Sequence, residues 1–243
     1  MKYVIFKVNE GYEMKEYAIV IPAYQPIEDL DSYVWTFIQA DVARVIVIDD
    51  GNDSSYEALF ARISAMERCT VLRHTTNSGK GAGLKTAIRY FLKHFPELKG
   101  IVPPDADAQH LTADVLNVGR HLEKLEDGFV LGSRVYESKN MPTRSLIGNT
   151  ISSRLFHILF GLYIRDTQTG LRGITTSELD WVLDLSGDHF EFEMNMLINM
   201  VKKECRIIQV DIKAVYQVVH ISHFSTVKDS VRIAGQIWKG FIT

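Results

Sequence analysis

The apolar runs of this chain constrain its fold more than any other feature. In the first hundred residues they are short, unbroken and separated by helix-length segments. Tyr17–Pro22 (YAIVIP), Arg44–Ile48 (RVIVI), Cys69–Arg73 and Gly100–Pro103 read as strands. Continuous rather than alternating apolarity marks a strand covered on both faces, the usual state in a parallel sheet. Helices are predicted between them over Ile27–Ala40, Ser54–Glu67 and Gly81–Phe95. Strand–helix alternation at this spacing builds a doubly wound α/β sheet. Ligands of such sheets sit beyond the carboxyl ends of the strands, so motifs that matter should follow strands directly.

The second half is less regular. Helices are predicted over Thr112–Leu125, Arg144–Leu162, Phe192–Lys202 and Val227–Lys239, and strands over Gly128–Leu131, Gly170–Ile174 and Arg206–Ile212. At 243 residues the chain suits one large domain, with a shift of character near residue 110. Hydrophobic residues at 46% and charged residues at 23% exclude a disordered or fibrous chain. A net charge of −3 gives no electrostatic footprint for nucleic acid. The longest apolar candidate, Leu155 to Ile164, is about half a membrane span. No signal-peptide pattern opens the chain, which sets the expectation of a cytoplasmic protein. Its two cysteines, Cys69 and Cys205, fit reduced buried thiols better than a disulfide framework.

Three motifs follow predicted strands. Asp105-Ala106-Asp107-Ala108-Gln109-His110 puts carboxylates at i and i+2 in an extended turn, where both can approach one hard cation. Gln109 offers a neutral oxygen and His110 a weaker ligand. Asp49-Asp50-Gly51-Asn52-Asp53-Ser54 ends the second strand. Helix capping accounts for Asp53 and Ser54 but not for adjacent acids at Asp49 and Asp50. Asn77-Ser78-Gly79-Lys80-Gly81-Ala82-Gly83 opens a helix whose N-terminus, with Lys80, favours an anion; the Walker A spacing is absent.

With IPAY (Ile21–Tyr24), LGSR (Leu131–Arg134) and DTQTGLRG (Asp166–Gly173), these motifs form an ordered set. In that order they resemble family 2 glycosyltransferases of the GT-A fold, and within them the dolichyl- and polyprenyl-phosphate sugar transferase branch. The likeness spans about residues 17 to 230. It implies a GT-A-type α/β fold, a mostly parallel sheet flanked by helices in a single catalytic domain. The nucleotide-sugar half would be 17–110 and the acceptor half 111–230, with 1–16 an N-terminal extension and 231–243 a C-terminal amphipathic segment.

The resemblance also implies a function: metal-dependent, inverting transfer of a hexose from a UDP- or GDP-sugar to polyprenyl phosphate in cell-envelope glycan synthesis. Pro22, Ala23 and Tyr24 would border base and ribose, Asp50 with Asp49 would hold them, and Lys80 would lie near the nucleotide. Asp105, Asp107 and Gln109 would carry Mg2+ or Mn2+ on the diphosphate, with Ala106 between the two acids. Arg134 and Arg144 would bind the acceptor phosphate, which needs positioning cations rather than a base. Asp166 is a candidate base or orienting group, and Asp107, Asp166 and Arg134 form the catalytic set. A lipid acceptor would seat the protein peripherally at the inner face of the membrane; a homo-oligomer is compatible with all of this.

Gln25-Pro26 departs from the family's common Asn-Glu, and Ala108 replaces a frequent Gly. Arg154, Arg165 and Arg172 add a local basic excess, while Glu191 and Glu193 open a helix and can line the site. Ser222–Ser225, with His223, is where relatives close over the donor. The apolar face Leu146, Ile147, Ile151, Leu155, Phe156 and Leu159 reads as core before membrane contact. Transfer to a glycan hydroxyl and a nucleotide-sugar-binding module without transfer activity stand as alternatives.

Overall fold

The computed structural model describes residues 14–135, 143–189, 191–213 and 235, and the side chains of 143–147 lie outside that description. The readings for residues 1–13, Ser222–Ser225 and the helix at 227–239 (Gly235 apart) therefore fall outside the described residues, as does the side chain of Arg144.

Seven strands form one sheet: β1 (Lys15–Ala23), β2 (Val42–Asp50), β3 (Cys69–His74), β4 (Gly100–Val102), β5 (Phe129–Arg134), β6 (Arg172–Thr175) and β7 (Ile207–Ile212). Their order is β3-β2-β1-β4-β6-β5-β7. All pairings are parallel except those of β6, which runs antiparallel to both β4 and β5. The helices are α1 (Leu30–Gln39), α2 (Glu57–Ser64), α3 (Lys80–His94), α4 (Thr112–Leu122), α5 (Thr143–Phe160), α6 (Leu179–Leu183) and α7 (Glu191–Lys202). A 3-10 turn, Ser54–Tyr56, precedes α2 and absorbs the start of the helix predicted there. Helix α6 is too short to show a periodicity and was not foreseen.

The unbroken runs are buried on both faces as their composition requires. Tyr17, Ile19 and Ile21 of β1 point into one core with α1, α2 and α4, while Ala18 and Val20 point into the other with α3 and α7. Each fully buried aliphatic side chain of this kind contributes about 1.5–3 kcal/mol. The reversed strand has the larger functional consequence. Because β6 runs against its neighbours, its entry, not its exit, lies at the edge where β1, β2, β4 and β5 end. Residues 166–172 are thereby delivered to the motif-bearing edge.

Candidate active site

At the end of β2 the two acids have different jobs. Asp50 is buried, and three donors converge on it: His74 Nδ1 at 2.7 Å, and the backbone N–H groups of Ser78 and Gly79, both at 2.9 Å. It ties down the loop that opens α3. Glycine is required there, since Gly79 has φ of +95° and a Cβ would stand 2.2 Å from His189 Nδ1. Asp49 accepts from the backbone and side chain of Asn52 and keeps a looser contact with Arg73, at 3.6 Å. Asn52 also donates to the Ala23 carbonyl and accepts from Gln25 N, joining the ends of β1 and β2. Asp49, Asn52, Asp53, Ser54, Glu57 and Arg73 line a depression of about 210 Å³ beside this staple. Asp50 thus braces the loop that opens α3, and Asp49 is the member of the pair that lines the depression.

At the end of β4, Asp105 sits in a charge cluster assembled from three separate stretches. Lys80 Nζ lies 2.5 Å from Asp105 Oδ1 and 2.9 Å from Glu193 Oε1, and His110 Nε2 lies 3.1 Å from Asp105 Oδ2. Burial alone would raise the Asp105 carboxyl, but the Lys80 ammonium and His110 outweigh it and hold the group well below the usual carboxylate range. Burial would likewise lower Lys80, and Asp105 with Glu193 reverses that. Asp107 moves the other way, raised by burial and then by the charge of Asp105. Its Oδ1 accepts from Gln109 N, a turn that puts the intervening Ala108 at φ of +54°. The glycine common at this position is thus explained: an L-residue there is left-handed. Gly170 closes the cluster, for a Cβ on it would approach Lys80 Nζ to 2.9 Å and Asp105 Oδ2 to 3.1 Å.

At the end of β5, Arg134 meets Asp166 through two parallel bonds, Nε to Oδ2 at 2.6 Å and Nη2 to Oδ1 at 2.9 Å. Asp166 is only 1% exposed and also accepts from the backbone of Arg134 and Gln168. A carboxylate engaged in this way orients a guanidinium. Helix α5 secures this loop with polar residues: Asn149 bonds the Arg165 carbonyl and Thr167 N, and Ser152 bonds Thr167 Oγ1.

The basic excess resolves into three environments. Arg154 is exposed, Arg165 pairs with Asp211 at 2.5 Å, and Arg172 is buried, donating to the carbonyls of Glu193 and Thr169. Burial lowers the Arg172 pKa, with Glu193 and Asp166 acting against it. The cysteines are unpaired and half-buried rather than buried, and desolvation pushes both thiols up to about 11.

The structure brings Lys80, Asp105 and Glu193 together, and separately Arg134 and Asp166. Tyr24 lies exposed just past the end of β1, Ala23 is buried at that end, and Pro22 packs under Gly83. Gln109 is exposed, and Ala106 is buried. Among the described residues no three His, Cys, Asp or Glu side chains converge as a ready metal site. Sequence reasoning missed Asn52, whose position in the Asp-Asp-Gly-Asn turn was its signal, and the part played by Gly170, which only the fold reveals.

Comparison with known proteins agrees with this architecture. The profile of glycosyl transferase family 2 matches residues 18–176. The UDP-N-acetylglucosamine–dolichyl-phosphate N-acetylglucosaminyltransferase of Methanococcus voltae is 26% identical over 82% of this chain and 85% of its own length. An uncharacterized protein of Methanocaldococcus jannaschii is 28% identical over 93% and 92%. Among solved structures, glucosyl-3-phosphoglycerate synthase from Mycobacterium tuberculosis, in complex with Mn2+, UDP-glucose and phosphoglyceric acid, superposes with a TM-score of 0.63. That likeness covers 94% of this chain and 79% of that one at 13% identity, and it establishes the GT-A fold.

Proposed function

Since the chain belongs to glycosyl transferase family 2, we propose that it moves a hexose from a UDP- or GDP-sugar to polyprenyl phosphate, with inversion and with a divalent cation. The observation that carries this reading is a pair of unlike charge sites on one sheet edge: clustered carboxylates after β4 and an oriented guanidinium at the end of β5. The first suits a cation-bound diphosphate and the second an anionic acceptor.

Asp105, Asp107 and Gln109 offer a hard cation the oxygen ligands it prefers, and diphosphate oxygens complete such a shell. Asp105 already carries a stand-in cation, the Lys80 ammonium. Residues of this chemistry fit Mg2+ or Mn2+, which when bound neutralises the departing diphosphate. Pro22, Ala23, Tyr24 and Asp49 border the base and ribose, and Asp50 holds the α3 loop in place beneath them. Arg134, kept in register by Asp166, and Arg144 at the start of α5 receive the acceptor phosphate. No base is needed, because the attacking oxygen is already ionised at pH 7. Attack opposite the leaving diphosphate inverts the anomeric centre.

A lipid acceptor is supported by α5, whose polarity is reversed. Asn149, Ser152 and Ser153 face inward with Phe156, whereas Ile151 and Ile158 are 58% and 77% exposed and share one stripe with half-buried Leu155. Among the described residues no helix is long and apolar enough to cross a membrane, so this stripe suits peripheral seating. The names of the two characterised relatives, one with a UDP-sugar and dolichyl phosphate and one with UDP-glucose, make UDP-sugars the donors to test first.

The test is transfer from radiolabelled UDP-N-acetylglucosamine, UDP-glucose or GDP-mannose, with Mn2+, Mg2+ or chelator, to a short polyprenyl phosphate and to the matching polyprenol. A labelled, acid-labile lipid formed only from the phosphate and only with cation is expected. Arg134→Lys should lower kcat/KM for the acceptor by about a hundredfold, through loss of bidentate geometry. Labelling of the polyprenol, or of a glycan hydroxyl instead, would overturn the acceptor assignment.

A further inference from the structure

Both oxygens of Asp105 are occupied, Oδ1 by the Lys80 ammonium and Oδ2 by the His110 ring. A divalent ion bound to Asp105 would stand beside that ammonium, and like charges a few ångströms apart repel strongly in a partly buried site. Lys80 cannot withdraw by moving its backbone. It is the first residue of α3, and the preceding Gly79 is held by Asp50 and walled in by Asp188 and His189. Only its side chain can swing, and two features leave it room to do so. Gly170 presents no side chain against Nζ, and Glu193 offers a second carboxylate at 2.9 Å.

We infer that Lys80 is the resident cation of the donor site, neutralising Asp105 and Glu193 in the metal-free protein and retreating to Glu193 when a divalent ion takes Asp105. The inference rests on the metal-dependent reading above and adds a device to it. Lys80 keeps the acids from collecting a cation freely, because an ion on Asp105 must first displace the ammonium and then stand beside it. Glu193 is then a positioning residue for Lys80.

The experiment measures Mn2+ affinity without nucleotide, from the electron paramagnetic resonance signal of the free ion. Lys80→Met should bind Mn2+ at least about tenfold more tightly than wild type. Lys80→Arg, which keeps the charge, should stay as weak as wild type. Glu193→Gln should bind more weakly still, since the ammonium loses its second seat. Lys85→Met, which removes a nearby cation paired with Asp188 outside the cluster, should change affinity less than about twofold. Equal affinity in Lys80→Met and wild type, or equal gains in Lys80→Met and Lys85→Met, would overturn the inference. Should Lys80→Met not fold, Lys80→Gln takes its place with the same expectation: tighter binding than wild type supports the device, and equal or weaker binding sinks it. Wild type that binds no Mn2+ even with UDP would overturn the metal reading itself and the inference with it.

Discussion

The two edges of the candidate site hold their acids by different means. On the side of β1 to β4, carboxylates are fastened largely by nearby backbone: Asp49 by Asn52, Asp107 by Gln109, Asp50 by Ser78 and Gly79. On the side of β5 and β6, Asp166 is fastened by the guanidinium of a residue thirty-two positions away. Backbone N–H groups cannot move without unmaking the turn, so the first edge is rigid wherever its loops are. The guanidinium bonds of Asp166 add a side-chain clamp to the backbone bonds it accepts from Arg134 and Gln168, so the second edge depends on two long-range side chains staying in register. Lys80 belongs to both patterns, with a pinned backbone and a mobile charge.

Removing the partner should therefore hurt the second edge most. Asp166→Ala leaves Arg134 without its carboxylate and should cost about 3 kcal/mol in urea unfolding, together with acceptor use. A loss of activity with stability unchanged would mean that the pair is not the fastening it looks to be. Asp50→Ala comes next, at about 2 kcal/mol, because two partly or fully buried N–H groups lose their acceptor. If that variant instead keeps its stability and loses only nucleotide affinity, Asp50 reads the nucleotide and the contrast between the edges weakens.

Smaller changes sharpen the picture. Ala108→Gly relieves a left-handed alanine and should raise stability by up to about 1 kcal/mol, measured by denaturant midpoint. Gly170→Ala pushes a methyl against the movable ends of Lys80 and Asp105. It should cost less than about 1 kcal/mol in stability while weakening donor binding measurably by calorimetry. The smallest structural effect concerns the thiols. With pKa values near 11, Cys69 and Cys205 should alkylate at pH 8 on the order of a hundredfold more slowly than free cysteine. Both should accelerate as pH rises toward 11, followed by mass spectrometry.

The same contrast explains what was legible in the residues themselves. Strands β1 to β4 and the turns after them were readable where the fastening is local, as in Asp49 to Asn52 and Asp107 to Gln109, whereas the bonds of Asp50 to Ser78 and Gly79 join distant stretches and were not. The reversed polarity of β6 was not readable from Gly170–Ile174, since a four-residue buried strand looks the same in either direction. The pairing of Asp166 with Arg134 was likewise not readable, because its partner lies on another strand. The outward face of α5 misled in a third way. Its aliphatic stripe has core spacing, and only the inward Asn149, Ser152 and Ser153 reveal that the helix is seated by hydrogen bonds. Ile151 is consequently corrected from core to surface, whereas Phe156 of the same face is buried as expected.

The pairing of β4 with β6 has a consequence for how separable the two halves are. That seam is short, Gly100 against Thr175 and Ile101 against Ile174, yet it is the place where one continuous sheet crosses from residues before 110 to residues after it. A fragment ending near residue 110 would keep β4 as a naked edge three residues long, and a fragment beginning there would leave β6 bare on one side. Neither piece is a self-sufficient unit, and co-expression of the two should restore a soluble complex that neither yields alone. Exchange of the part after residue 110 between relatives must therefore carry β6 as a matched graft, with its two contact positions to β4 preserved.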